Sequence, residues 1–103
     1  MQLLSFLNGI YNTEIERMAY DRNYVFAFTE DDESVQMYLP YTTDAINRTI
    51  ILSRNFYEID LLRRFSKYID PQKTILDIGG NIGNHSVYFA KILKCNNVVA
   101  FEP

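Results

Sequence analysis

Apolar positions recur with two different periods along this chain, and the switches between them outline its elements. Tyr24-Val25-Phe26-Ala27-Phe28 and Val35-Gln36-Met37-Tyr38-Leu39 are rich in β-branched and aromatic residues, which predicts two strands. The polar run Thr29-Glu30-Asp31-Asp32-Glu33-Ser34 predicts the connector of a hairpin between them, and Pro40 ends the second strand. Like charges crowded on a turn ordinarily sit in water, so its four carboxylates are expected to be solvated rather than to gather a metal. Upstream, Thr13-Glu14-Ile15-Glu16 has capping-box spacing and predicts a short helix over residues 14–20. Asp44 is a candidate cap for a short helical or irregular stretch through Leu52.

The period lengthens after Leu52. Tyr57, Leu61, Leu62, Phe65, Tyr68 and Ile69 recur at helical spacing, with Arg63, Arg64 and Lys67 on the other side. Asn55 with Glu58 three residues later predicts the start of this amphipathic helix, and Asp70-Pro71 its end. Residues 75–78 then carry hardly any polar alternation until Asp77, the pattern of a parallel strand buried on both faces. Residues 84–94 predict a helix with Val87, Phe89, Ala90, Ile92 and Leu93 apolar, Cys95-Asn96-Asn97 a turn, and residues 98–101 a second strand. This order is a β-α-β unit, whose crossover is expected to be right-handed.

Composition narrows the class. The 103 residues suit one domain with a core, and 48% hydrophobic content excludes wholesale disorder. The net charge of -3 divides into -6 over residues 1–60 (10 acids, 4 bases) and +3 over residues 61–103 (3 acids, 6 bases). Neither half is basic enough to suggest nucleic acid. With Cys95 the only cysteine and His85 the only histidine, an internal disulfide, a CxxC site and a multi-histidine metal site are all excluded, so no metal is expected. Cys95 reads as a small packing residue, and His85 as structural at a helix start. The apolar segment over residues 1–7 lacks a basic flank and breaks at Asn8-Gly9, so it reads as a helix or docking segment rather than a signal peptide. No apolar run approaches a membrane span, and a cytoplasmic location is the default expectation.

The candidate chemistry lies in Thr74-Ile75-Leu76-Asp77-Ile78-Gly79-Gly80-Asn81-Ile82-Gly83 and in Val98-Val99-Ala100-Phe101-Glu102-Pro103. A strand turning sharply into a helix needs glycine torsions at Gly79 and room for close approach at Gly80 and Gly83. Amides over residues 81–84 are expected to point unpaired N–H groups toward a ligand. Asp77, at the strand end, is suited to accept from an ammonium or hydroxyl group. Glu102 follows Gly83 by 19 residues, about where a ribose diol is gripped. A G-x-G-x-x-G fingerprint counted from Gly79 meets Asn81 and Asn84, which disfavours a nicotinamide dinucleotide. Asn84-His85 after Gly83 excludes a Walker A loop. What remains is an acid-first loop, Asp77-x-Gly79-x-Asn81-x-Gly83, suited to a cofactor with an amine, a carboxylate and a ribose but no pyrophosphate.

Leu76-Asp77-Ile78-Gly79-Gly80-Asn81-Ile82-Gly83-Asn84-His85-Ser86 resembles the first motif of S-adenosylmethionine (SAM)-dependent methyltransferases of the FkbM type. Val99-Ala100-Phe101-Glu102-Pro103 resembles the segment that follows it, and Phe56-Tyr57-Glu58 with the helix behind it resembles the lead-in. The likeness runs from about Asn55 to Pro103. It implies a Rossmann-like class I fold with SAM as cofactor. Asp77 and the backbone of Gly79, Gly80, Asn81 and Gly83 would hold the methionine part, and Glu102 the ribose hydroxyls. Gly80 stands where the family often has Ala, a difference expected to leave the loop unharmed.

The expected architecture is therefore α/β. An N-terminal helix and β-hairpin region (1–54) precedes a helix and the opening β-α-β of a SAM-binding domain (55–103). The implied activity is O-methylation of a glycan or a small natural product. The sequence ends where a doubly wound sheet is about one third built, so an inactive N-terminal fragment is expected, and no catalytic residue can be carried over. The alternative from another class is a non-catalytic protein acting through protein contacts. An unpaired sheet edge near residues 98–101, unless extended by the hairpin, would favour a homo-oligomer.

Overall fold

A computed structural model describes residues 13–103, which form two small two-stranded sheets and several short helical segments, with the core between the hairpin and the helical segments. The segment over residues 1–7 lies outside the described residues. Residues 13–21 are helical (α1) and bury Ile15 and Ala19, four positions apart on one face. The strands β1 (Val25–Glu30) and β2 (Glu33–Tyr38) form an antiparallel hairpin with Phe28 opposite Val35 and Glu30 opposite Glu33. The six-residue connector read from the sequence contracts to two residues. Asp31 and Asp32 both take positive φ (52° and 60°), as a type I′ turn requires, and that turn matches the twist of the flanking strands. The inward face carries Phe26, Phe28, Val35 and Met37, and Leu39 follows just beyond the hairpin.

Glu30 occupies an inward position of this alternation, so the solvated-turn reading does not hold for it. Its carboxylate is 9% exposed and takes two hydrogen bonds from Arg63 (Nη2 to Oε1 2.6 Å, Nε to Oε2 2.9 Å). Asn55 Nδ2 adds a third at 3.3 Å. Glu33 is likewise paired, with Lys94 Nζ at 2.6 Å. Two of the four turn carboxylates therefore tie the hairpin to later parts of the chain. Among the described residues no acidic, histidine or cysteine cluster could hold a metal ion.

Helix α2 (Ala45–Ser53) begins as the sequence indicates: Asp44 Oδ2 accepts from the N–H groups of Ile46 (3.0 Å) and Asn47 (3.1 Å). The next helix does not. It starts at Ile59 rather than Asn55 (α3, Ile59–Phe65) and ends in a 3₁₀ turn, Ser66–Tyr68. The capping box is not formed, because Asn55 Oδ1 accepts from Phe56 N–H (2.8 Å) and Glu58 lies in the left-handed region at φ 58°. The bend and turn before α3 send Phe56 into the core instead. Its ring meets Phe28 edge-on at 5.0 Å and Tyr88 edge-on at 5.3 Å. Of the apolar face expected for this helix only Leu62 is buried, while Leu61, Phe65 and Tyr68 are exposed.

The strands β3 (Thr74–Ile78) and β4 (Asn97–Phe101) pair in parallel, with Asp77 opposite Ala100 and Ile78 opposite Phe101. Between them runs α4 (Asn84–Val87), which widens into a π-helical stretch, Tyr88–Ile92; there Leu93 N–H reaches back five residues to Tyr88 O at 3.2 Å. A β-α-β unit is thus present, and its two strands form a sheet separate from the hairpin, which does not extend it. Nor are the strands covered on both faces. Leu76, Ile78, Val99 and Phe101, in register on one face, are 59%, 79%, 41% and 50% exposed. The most buried side chain of the crossover helix is Tyr88, whose hydroxyl donates to Ser66 Oγ (3.0 Å), itself donating to Leu62 O. Among the described residues no helix is long and apolar enough to cross a membrane.

The Glu30–Arg63 contact makes stability depend on acid. Hydrogen bonding from Arg63 holds the Glu30 carboxyl below its ordinary value of 4.5, against the opposing effect of burial and with help from Asn55. A folded-state value below the unfolded one gives stabilisation that is complete above the ordinary value and is lost as pH falls through the lowered one. Glu30→Gln is expected to be less stable than the parent at neutral pH, with a shallower decline of its urea midpoint between about pH 6 and pH 3. An equally steep decline in the variant would assign the acid sensitivity elsewhere.

Candidate functional site

The end of β3 and the glycine turn form one wall of a cavity of about 200 Å³. Asp77, Gly79, Gly80, Asn81, Ile82, Asn84 and His85 line it from this side, and Ile46, Tyr57 and Glu58 from the other. Of the six residues read as cofactor-binding, Asp77, Gly79, Gly80 and Asn81 lie on the cavity. Gly83 shapes the start of α4, and Glu102 is held against the loop rather than lining the cavity.

The turn is built from backbone bonds that the sheet supplies. Phe101 O, at the end of β4, accepts from both Gly79 N–H (2.7 Å) and Gly80 N–H (3.0 Å), and Gly80 O accepts from Gly83 N–H (2.8 Å). Gly79 and Gly83 take φ of +75° and +86°, torsions that disfavour any side chain. Asn81, also left-handed at φ 53°, donates its N–H to Glu102 Oε2. The expectation of four free amides is therefore corrected: those of Asn81 and Gly83 are spent inside the loop, while those of Ile82 and Asn84 make no hydrogen bond among the described residues.

Asp77 is an oriented carboxylate. Ser86 Oγ, one turn into the crossover, donates to its Oδ2 at 2.6 Å, which leaves Oδ1 for a ligand. Gly80 gives this carboxylate its room. A Cβ there would stand 3.3 Å from Asp77 Oδ2 and 3.5 Å from the Ala100 Cβ, tight enough that the carboxylate would have to shift.

The sequence reads Glu58 as a cap and His85 as structural at a helix start, and the structure gives both of them, with Asn84 and Ser86, a contact at the site. The Asn84 side chain is buried and closes a two-bond ring with one residue's backbone: Tyr57 N–H donates to its Oδ1 (2.8 Å) and its Nδ2 donates to Tyr57 O (2.9 Å). This clamps the wall carrying Tyr57 and Glu58 to the wall carrying the glycine turn. His85 Nε2 stands 3.7 Å from Glu58 Oε1 across the cavity mouth, both side chains about 40% exposed. Asn84 carried a faint signal: it occupies a position that a dinucleotide fingerprint gives to glycine. Glu58 carried none, because its spacing from Asn55 imitates a cap.

Truncating Asn84 leaves the N–H and C=O of Tyr57 without protein partners. Asn84→Ala is expected to lower unfolding stability by about 2–4 kcal/mol in urea titrations. Asn84→Asp keeps the acceptor and loses the donor, and is expected to be destabilised as well. Equal stability of all three proteins would remove this side chain from its clamping role.

No protein-family model, no curated protein and no solved structure matches this chain.

Proposed function

We propose that this chain carries the SAM-binding β-α-β of a methyltransferase of the FkbM type, within a Rossmann-like class I fold, serving O-methylation of a glycan or a small natural product. The observation that carries the reading is the acid-first loop in its folded form. An oriented Asp77 beside a left-handed glycine turn faces a cavity, with Glu102 at the end of the next strand. The volume supports assignment to one end of the cofactor: about 200 Å³ falls below the roughly 300–1,000 Å³ of pockets that enclose a whole drug-sized ligand. The amino-acid end suits it, since Asp77 Oδ1 can accept from an ammonium group. Glu102 meets the loop through Oε2, and its Oε1 could accept from a ribose hydroxyl. When bound, SAM supplies a sulfonium methyl for in-line transfer to a hydroxyl; the chain's part is to hold and orient.

The test is calorimetric titration with S-adenosylhomocysteine. The folded chain is expected to bind it, and Asp77→Asn to bind about ten-fold more weakly through loss of a charge-assisted hydrogen bond. A chain that is folded by circular dichroism and gives no binding heat would end the cofactor reading.

A second reading, a homo-oligomer acting through protein contacts, is favoured by the bare apolar face of Leu76, Ile78, Val99 and Phe101 on a two-stranded sheet. Patches of this kind mark interaction surfaces or aggregation sites. Light scattering is expected to give a mass above 12.1 kDa for the parent and a return to that mass for Ile78→Lys. A parent that is monodisperse at the monomer mass would set this reading aside.

A further inference from the structure

Asp77 by itself is a poor receptor for an ammonium group. A protonated amine carries three N–H donors, and leaving them without acceptors in a partly closed cavity is costly. Asp77 Oδ2 is already engaged by Ser86, so this residue has one unengaged oxygen to offer. The turn itself adds little, because Phe101 O and Gly80 O already accept from loop amides. The opposite wall offers a second charged acceptor, because Glu58 is the carboxylate that lines the cavity there.

Its placement is specific. Glu58 holds a left-handed backbone (φ 58°, ψ 39°) that costs a residue with a Cβ on the order of 1 kcal/mol. It is kept there from both sides. Asn84 clamps Tyr57 immediately before it, and Glu58 O accepts from Leu62 N–H (3.0 Å) to begin α3. The side chain makes no cap hydrogen bond to its own helix. His85 Nε2 stands 3.7 Å from its Oε1, too far for a hydrogen bond. The carboxylate is thus aimed across the cavity mouth and only loosely engaged.

We propose that Glu58 is a further ligand-binding residue of this site, accepting with Asp77 from the ammonium group of the cofactor's amino-acid end. The assignment rests on the SAM reading above and extends it to the segment before α3. Two carboxylates on facing walls make the cavity selective for a cationic group, and His85 gives Glu58 a partner while no ligand is bound.

The experiment compares S-adenosylhomocysteine with its deamino analogue, which lacks only the ammonium group, on the full chain by calorimetry. The parent is expected to prefer S-adenosylhomocysteine by about ten-fold or more. Glu58→Gln is expected to narrow that preference to less than about three-fold while leaving affinity for the deamino analogue unchanged. A Glu58→Gln protein that retains the full preference overturns the role of Glu58 and leaves the cofactor reading standing. So does one that loses both ligands equally, since that reports damage to the cavity wall. A folded parent that binds neither ligand overturns both.

Discussion

The side chain of Asn84 holds the segment before α3 out of the helix, and the rest of the arrangement depends on that. An amide group can satisfy one N–H and one C=O of a single residue at once, and Asn84 does this for Tyr57. In a helix that C=O would point along the axis to an N–H four residues on instead. With the segment held as a bend and turn, Phe56 turns inward to join Phe28 of the hairpin to Tyr88 of the crossover through two edge-on ring contacts. Each such pair contributes about 0.5–1.5 kcal/mol beyond simple burial. The same constraint fixes Glu58 at the cavity mouth. One buried amide therefore sets both the seam of the core and the second wall of the site.

Local signals were legible where chemistry and geometry are local. Asp44 caps α2, the hairpin strands alternate, and Gly79 takes the left-handed torsion that its position after a strand implies. The errors arise where a distant group decides. Asn55 and Glu58 satisfy the spacing of a capping box, but Asn84, 27 residues from Tyr57, claims the backbone between them. Glu30 looked like one acid among four on a turn. The strand register places it inward, where Arg63, 33 residues on, supplies two hydrogen bonds. Tyr88 is absent from the apolar face expected of residues 84–94, yet its hydroxyl is satisfied by Ser66 and its ring is among the buried core. Periodicity reports which faces are apolar; it does not report which polar groups will find each other.

The sheet gives the converse case, a pattern legible in the sequence that the described structure does not fulfil. The apolar run of β3 and β4 reads as two-sided burial, the condition of a parallel strand inside a larger sheet. In the structure α4 and its π-helical extension lie against β4 on one side, while Leu76, Ile78, Val99 and Phe101 stand bare on the other. These side chains are consistent with a covered face, and none of the described elements covers it. A methyltransferase sheet and a self-associating surface would both account for that composition.

Asn84 also bears on the choice among cofactors. Its place in the spacing after Gly79 is where a dinucleotide-binding turn has its last glycine, which allows close packing of helix on strand. Here the position is filled by a buried side chain that reaches across to Tyr57, so the facing wall is drawn in over the turn. The resulting cavity is small and acidic, bounded by Asp77 and Glu58. A pyrophosphate brings two negative charges and needs an open approach to the turn. Facing carboxylates repel it. An amino-acid end instead brings an ammonium group from which these carboxylates can accept, which is the physical ground for proposing a sulfonium cofactor over a dinucleotide at this turn.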